Sequence, residues 1–132
     1  MNYNFINKIN GWVVFAIATI VYLLIIEDTA SLWDCGEYIT AAYKLEVGHP
    51  PGAPLYMILG RIFSFFAAPE NVAFYINALS ALSSSFTILF MFWSITLLMK
   101  KLILQGKKSL ENHDQIGIFV SASIGSLAYT FT

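Results

Sequence analysis

Two long uncharged stretches dominate the pattern of apolar and polar positions along the chain. The first covers residues 12–26 and, with the turns on either side, predicts a membrane-spanning helix over residues 10–27, because about 20 apolar residues cross the hydrocarbon core as a helix. A cleaved signal peptide is the alternative, since Lys8 precedes a short apolar core. No small-residue cleavage motif follows, and Glu27 and Asp28 come directly after the core, which favours a retained helix.

The second stretch is the clearer span. Residues 72–99 contain no charge and are closed by Lys100 and Lys101, so they predict a spanning helix that is longer than the hydrocarbon core requires. A polar loop over residues 100–115 separates it from an apolar run over residues 116–132, which predicts a partial third span. Because that run ends without flanking charges, we expect the chain to be the N-terminal part of a larger membrane protein.

The segment between the first two spans, residues 28–71, carries two shorter amphipathic patterns. The first pattern places apolar residues at helical spacing at Tyr38, Ala41, Ala42 and Leu45. The second follows a Gly- and Pro-rich turn and consists of Leu55, Ile58, Leu59, Ile62, Phe63 and Phe66. Such patterns predict helices that lie in the membrane interface, or alternatively a re-entrant hairpin buried in protein. The predicted fold is an all-α membrane protein with two to three transmembrane helices and interfacial helices in the first external loop.

Composition and charge agree with this class of protein. Of 132 residues, 58% are apolar and 11% are charged, whereas a soluble domain has about 25% charged residues. The net charge of −1 gives no reason to expect a nucleic-acid partner. Residues 100–115 contain four lysines, whereas residues 27–71 contain six acids against Lys44 and Arg61. The positive-inside rule therefore predicts a cytoplasmic N-terminus and an external loop, periplasmic in the bacterial inner membrane that we expect, or lumenal in a eukaryote.

Asp34 and Glu37 are the candidate catalytic groups. They lie three residues apart just beyond the first predicted span, where a lipid-borne substrate can meet water. A carboxylate at such a place can act as the general base for an acceptor hydroxyl. The same spacing also fits a helix capping box, with Asp34 at the N-cap and Glu37 reaching back. The spacing alone does not decide between these two roles.

His49 and Arg61 are candidate binding residues. His49 precedes Pro50 and Pro51, which stiffen the loop that presents the imidazole; a structural hydrogen bond is the alternative role. Arg61 can pair with a phosphate or a loop acid, or extend to the lipid headgroups. One histidine and two carboxylates are chemically able to bind a divalent metal, but their spacing matches no recognised ligand pattern, and we expect no metal site.

A longer run of residues resembles a known family. The chain reads Trp-Asp-Cys-Gly-Glu-Tyr over residues 33–38 and Gly-His-Pro-Pro-Gly-Ala-Pro-Leu-Tyr over residues 48–56. This resembles the start of a family of large multi-span proteins, long described only as a domain of unknown function, that includes a vertebrate protein O-mannosyltransferase of the endoplasmic reticulum. The family pattern is an Asp-Ser-Gly-Glu-Leu core, a short helix and His-Pro-Pro-Gly-x-Pro-Leu. Cys35 and Tyr38 replace its serine and leucine.

The resemblance implies the N-terminal part of a C-type (GT-C) glycosyltransferase fold. The implied reaction moves a sugar, mannose in the first place, from a polyprenyl- or dolichyl-phosphate donor to Ser or Thr of an acceptor protein, in contact with membrane lipid and with no cofactor. Asp34 would then be the catalytic carboxylate and Glu37 its helper, with Tyr38, His49 and Arg61 binding substrate. Because such enzymes have many more spans, we expect this chain alone to be inactive. The alternative is a non-enzymatic membrane subunit or transporter fragment that binds a partner through residues 27–71.

Overall fold

The computed structural model describes residues 2–30, 33–50 and 52–131, and the regular elements in these ranges are all helical. In chain order the α-helices are α1 (Tyr3–Leu24), α2 (Cys35–Lys44), α3 (Pro54–Ser64), α4 (Val72–Gly106) and α5 (Asn112–Thr130). A short 3-10 helix over Pro69–Asn71 leads directly into α4. The predicted all-α fold class is therefore confirmed.

Two of the described helices are long and apolar enough to cross a membrane. Helix α1 has 22 residues, and the helical segment Pro69–Gly106, which contains α4, has 38 residues. They overlap the two spans predicted from the sequence and indicate membrane association. Among the described residues, α5 does not reach the same combination of length and hydropathy, although it lies over the predicted partial third span.

Both long helices extend beyond one end of the uncharged stretches that predicted them, and α1 ends at Leu24, before the predicted end at residue 27. Helix α1 begins before the predicted span of residues 10–27, and the Asn2 side-chain oxygen accepts a hydrogen bond from the Phe5 backbone N–H at 3.4 Å, as an N-terminal cap does. Helix α4 continues past residue 99 through Lys100 to Gly106. Lysine is a good helix former and glycine a poor one, so the charge that closes the apolar stretch does not end the helix.

The chain forms two compact units, one of residues 1–22 and 84–132 and the other of residues 23–83. The first unit has a core contributed by α1, α4 and α5, in which the buried apolar residues are Val14, Ala18, Ile88, Phe92, Ile118, Phe119 and Ala122. The second unit has a core contributed by α2, α3 and the start of α4, in which they are Ile39, Ala41, Ala42, Met57, Val72 and Ile76. All candidate site residues belong to the second unit.

Close packing in the second unit depends on a glycine in α3. A Cβ placed on Gly60 would lie 2.9 Å from the Cβ of Ala42 in α2 and 3.6 Å from the Cγ2 of Ile76 in α4. The first distance is too short for two carbon atoms, so a residue without a side chain is needed for α2 and α3 to approach so closely. Small residues serve this purpose generally between membrane helices.

The face of α3 that is buried within this unit is not the apolar face that the sequence pattern predicted to lie in the membrane interface or in a buried hairpin. The buried residues of α3 are Met57, Gly60 and Ser64, whereas the predicted apolar residues Leu55, Ile58, Leu59, Ile62 and Phe66 are exposed. In α2, Ala41 and Ala42 of the predicted pattern are buried, whereas Leu45 is 59% exposed. Leu45 is the C-cap of α2 and has a left-handed backbone with φ of 56°, so its side chain leaves the helical face.

Candidate functional site

The start of α2 places the two candidate carboxylates one turn apart. Asp34 is the N-cap residue, and Glu37 lies in the first turn. Within the described residues, however, the Asp34 side chain makes no capping hydrogen bond to the helix. The Glu37 carboxylate also points elsewhere, because it binds His49. The capping-box interpretation is therefore wrong for this pair, and the Asp34 carboxylate is not used to begin the helix.

Glu37 holds His49 through both of its carboxylate oxygens. The His49 backbone N–H donates to Oε1 at 2.8 Å, and the imidazole Nδ1 lies 2.9 Å from Oε2. The loop is shaped for this contact by glycines on either side. A Cβ on Gly48 would lie 3.3 Å from Glu37 Oε1, and Gly52, with φ of 71°, donates its N–H to the His49 carbonyl oxygen at 3.0 Å. These contacts bring the imidazole of His49 to α2, and the predicted rigidity of the loop stays a prediction.

The other imidazole nitrogen faces Asp34. The Nε2 atom of His49 lies 3.8 Å from Asp34 Oδ2. The ring therefore stands between two carboxylates that lie 12 and 15 residues before it in the sequence. The side chains of Asp34, Glu37 and His49 are 60%, 42% and 47% exposed. These three residues, called the acid–histidine cluster below, are therefore reachable by water and by a substrate.

The electrostatics of the cluster favour a charged Glu37–His49 pair. The hydrogen bond from the His49 backbone N–H, followed by the one from its imidazole, lowers the pKa of Glu37. The hydrogen bond to Glu37, then the negative charges of Glu37 and Asp34, raise the pKa of His49. Both pKa shifts mean that the charged form of the group is stabilised. The ion pair is therefore present in the pH window between the lowered pKa of Glu37 and the raised pKa of His49.

Two tyrosines line the same region. The Tyr38 ring contacts the His49 ring edge-on, with centroids 6.3 Å apart, and the Tyr56 ring with centroids 5.8 Å apart. Burial raises the pKa of Tyr56, whose hydroxyl is hydrogen-bonded with Ser80. The structure thus brings the predicted residue Tyr38 to the cluster. Tyr56 was not predicted as a site residue, because its sequence signal, one aromatic residue in the first turn of α3, is equally typical of a core residue.

Arg61 lies at the other end of α2. Its guanidinium donates to the Tyr43 carbonyl oxygen and stands over the rings of Tyr43 and Phe65, 5.3 and 4.7 Å from their centroids. Within the described part of the chain, no ion pair joins Arg61 to an acid of residues 27–71. Arg61 therefore stabilises the C-terminal end of α2, where a cation is favourable, and its predicted role in substrate binding stays a prediction.

A groove of about 350 Å³ opens beside the cluster. Its walls include Leu45, Val47, Gly48, Met57 and Ile58. Gly48 joins the two features, because the same residue lies against Glu37 Oε1. A substrate that reaches the acid–histidine cluster can therefore place an apolar group in this groove.

The cluster also contains the atom types that bind divalent cations. One atom each from Asp34, Glu37 and His49 lies within 4.8 Å of the others. The observed hydrogen bonds nevertheless satisfy Glu37 and the Nδ1 atom of His49 without a cation. The expectation of no metal site stays a prediction that these distances do not test.

The helical architecture and the exposed cluster describe an α-helical membrane protein with a candidate site next to a helix that can span. Residues 34–132 match the family described as the protein O-mannosyl-transferase TMEM260 N-terminal domain, and the chain belongs to this family. The match begins at Asp34 and includes the whole acid–histidine cluster. The family resemblance seen in the sequence is therefore confirmed.

Two relatives show how much of a whole protein is represented. The protein O-mannosyl-transferase tmem260 of Dictyostelium discoideum is 36% identical over 86 residues, which are 63% of this chain and 10% of that protein. The protein O-mannosyl-transferase TMEM260 of Mus musculus is 33% identical over 82 residues, 62% of this chain and 12% of that protein. The chain thus spans about a tenth of the length of these curated relatives. No solved structure matches it.

Proposed function

We propose that the protein to which this chain belongs is a glycosyltransferase of the C type, which moves a mannosyl group from a polyprenyl- or dolichyl-phosphate donor to Ser or Thr of an acceptor protein. The family and the names of its two relatives support a protein O-mannosyltransferase. The observation that carries the proposal is the acid–histidine cluster, which is formed by the start of α2 and the loop that follows α2 and stands open to solvent.

Asp34 is the general base in this reaction. Its carboxylate is 60% exposed and is not used to cap α2, so an acceptor hydroxyl can approach it. Asp34 removes the hydroxyl proton while the oxygen attacks C1 of the sugar. The bond between C1 and the phosphate oxygen breaks, and its electron pair leaves with the lipid phosphate. Because the leaving group is a phosphate, the step needs a base for the acceptor more than an acid for the leaving group.

The membrane arrangement follows from the same residues. We place α1 and α4 across the bilayer, with the N-terminus in the cytoplasm and residues 27–71 on the opposite face, where secreted and membrane acceptors are found. The exposed apolar face of α3, which includes Leu55 and Ile58, then lies against lipid or against other spans. The bacterial inner membrane stays our prediction for this membrane.

A transfer assay on the full-length protein tests the proposed function. The reaction contains polyprenyl-phosphate mannose and a Ser- and Thr-containing polypeptide, and the same polypeptide with alanine at these positions is the control acceptor. We expect transfer to the hydroxyl-bearing acceptor alone. Folded protein that transfers none of several lipid-linked sugars would contradict the enzyme and favour the second candidate, a membrane subunit that docks a partner in the groove beside Gly48.

A further inference from the structure

We propose that Glu37 and His49 are positioning residues that carry away the proton taken up by Asp34. In this arrangement Glu37 fixes the neutral imidazole in the tautomer that bears hydrogen on Nδ1, and the lone pair on Nε2 faces Asp34. The tautomer itself follows from the geometry alone, whereas its role in turnover rests on the proposed function of Asp34 as the general base.

The contacts of Glu37 determine which imidazole nitrogen carries the hydrogen. The His49 backbone N–H lies 2.8 Å from Oε1 and can only donate, which orients the carboxylate. Nδ1 then lies 2.9 Å from Oε2. An ionised carboxylate only accepts hydrogen bonds, so Nδ1 must be the donor. In a neutral imidazole the other nitrogen then has a free lone pair.

That lone pair is directed at the candidate base. The distance of 3.8 Å between Nε2 and Asp34 Oδ2 is longer than a direct hydrogen bond, and a small side-chain rotation or one bridging water closes it. While Asp34 is ionised, the two atoms are both acceptors and have no reason to approach. Once Asp34 has taken a proton, its O–H can donate to Nε2. The contact therefore forms after the acceptor hydroxyl has been deprotonated, when the proton has to leave Asp34.

The proton balance of the relay is simple. The acceptor hydroxyl loses its proton to Asp34 as the C1–oxygen bond forms, and Asp34 passes the proton to Nε2 of His49. The resulting imidazolium lies between the carboxylates of Glu37 and Asp34, and the His49 side chain is 47% exposed, so bulk water removes the proton. No electron is transferred, and Asp34 is again ionised for the next acceptor.

The surroundings of His49 favour proton uptake. The titratable groups that face it are Asp34 and Glu37 of α2 and the Tyr38 ring, behind which the Tyr56 ring of α3 stands. The two carboxylates raise the pKa of His49, which makes Nε2 a better acceptor of the Asp34 proton. The relay requires neutral His49, so turnover is expected to fall as the pH decreases through this raised pKa.

The first test measures the tautomer and does not depend on activity. Full-length protein is labelled with ¹⁵N at histidine, and His49 is assigned by comparison with His49→Gln at a pH above its titration. We expect an unprotonated Nε2 and a protonated Nδ1 in the wild type. In Glu37→Gln the carboxamide oxygen still accepts the backbone N–H, while its NH₂ group now donates to Nδ1, so the tautomer is expected to reverse. A protonated Nε2 in the wild type would overturn the proposal.

The second test measures turnover in the transfer assay. Glu37→Gln and His49→Gln are each expected to lower kcat by about tenfold or more, with KM for the donor unchanged. The double variant is expected to be no slower than the slower single variant, because both residues act on one proton path. Added imidazole is expected to restore part of the turnover of His49→Ala, which a purely structural role would not allow. Glu70→Gln, an exposed acid outside the cluster, is the control.

The outcomes separate this inference from the proposed function. If Asp34→Asn abolishes transfer while Glu37→Gln and His49→Gln keep wild-type kcat, the relay is wrong and the base assignment stands. If Asp34→Asn itself transfers sugar at the wild-type rate, the base assignment fails and the relay fails with it. Loss of turnover without tautomer reversal in Glu37→Gln would also overturn the positioning role.

Discussion

Single residues determine how the acid–histidine cluster is assembled. Gly48 gives Glu37 the space to reach His49, since a Cβ there would lie 3.3 Å from Oε1. The His49 backbone N–H lies 2.8 Å from the same oxygen, so one side chain orients both the loop and the imidazole. The loop turns back on the first turn of α2. It therefore brings together four of the predicted site residues, Asp34, Glu37, Tyr38 and His49.

The pH dependence of this loop contact has a definite sign. The pKa of Glu37 is lowered, so its contribution to stability is lost as the pH falls through that lowered value; the pKa of His49 is raised, so its contribution is lost as the pH rises through the raised value. We expect protection of the His49 amide from hydrogen exchange, corrected for the intrinsic rate, to be greatest between the two pKa values.

Hydrogen exchange measured residue by residue checks this expectation. The Glu46 amide is the internal control, because it donates to the Ala41 carbonyl oxygen at 2.9 Å, a group that does not titrate. In Glu37→Gln the pH dependence at His49 is expected to flatten. The same bell-shaped protection at His49 in that variant would show that the pair is not its cause.

Among the helices, α3 shows most clearly what side-chain size does to packing. Leu55, Ile58, Leu59 and Ile62 are exposed, whereas its buried residues are Met57, Gly60 and Ser64. We expect Gly60→Ala to destabilise the unit of residues 23–83 by about 1–3 kcal/mol, as overpacking does, because the new Cβ would lie 2.9 Å from the Ala42 Cβ.

Thermal unfolding in detergent measures this effect. Gly117→Ala is the matched control, since nothing lies within 4 Å of a Cβ at this helical position, and alanine favours a helix over glycine by about 1 kcal/mol. The control is expected to be neutral or stabilising. A Gly60→Ala variant as stable as the wild type would mean that α2 and α3 do not pack so closely.

The sequence predicted the helices better than their contacts. Long uncharged stretches and helical spacing depend on local composition, and α1 to α5 follow them. The buried face of α3 depends instead on which residue lets neighbouring backbones approach. A periodic pattern is built from large apolar residues, so it does not identify Gly60. The capping box failed for a similar reason: Glu37 and Asp34 match a local pattern, but Glu37 binds His49, a contact across 12 residues that no local spacing reveals.

At the scale of the whole molecule, the proposed topology separates the cluster from the lysine-rich segment. Val47 is 97% exposed beside the cluster, and Lys108 is exposed between α4 and α5. In a background without other reactive cysteines, including Cys35→Ser, an impermeant thiol reagent is expected to label Val47→Cys and Lys108→Cys from opposite sides of sealed vesicles. Labelling of both from one side would contradict α4 as a single span.

The proposed role of Asp34 as the base of a sugar transferase is tested by comparing the wild type with two variants. Full-length wild type, Asp34→Asn and Glu70→Gln are reconstituted at equal amounts and supplied with polyprenyl-phosphate mannose and a Ser- and Thr-containing acceptor. We predict that Asp34→Asn inserts and folds but loses at least about 100-fold in kcat, within the range of general-base catalysis, while Glu70→Gln keeps wild-type activity. Wild-type transfer by a folded Asp34→Asn variant would contradict the claim.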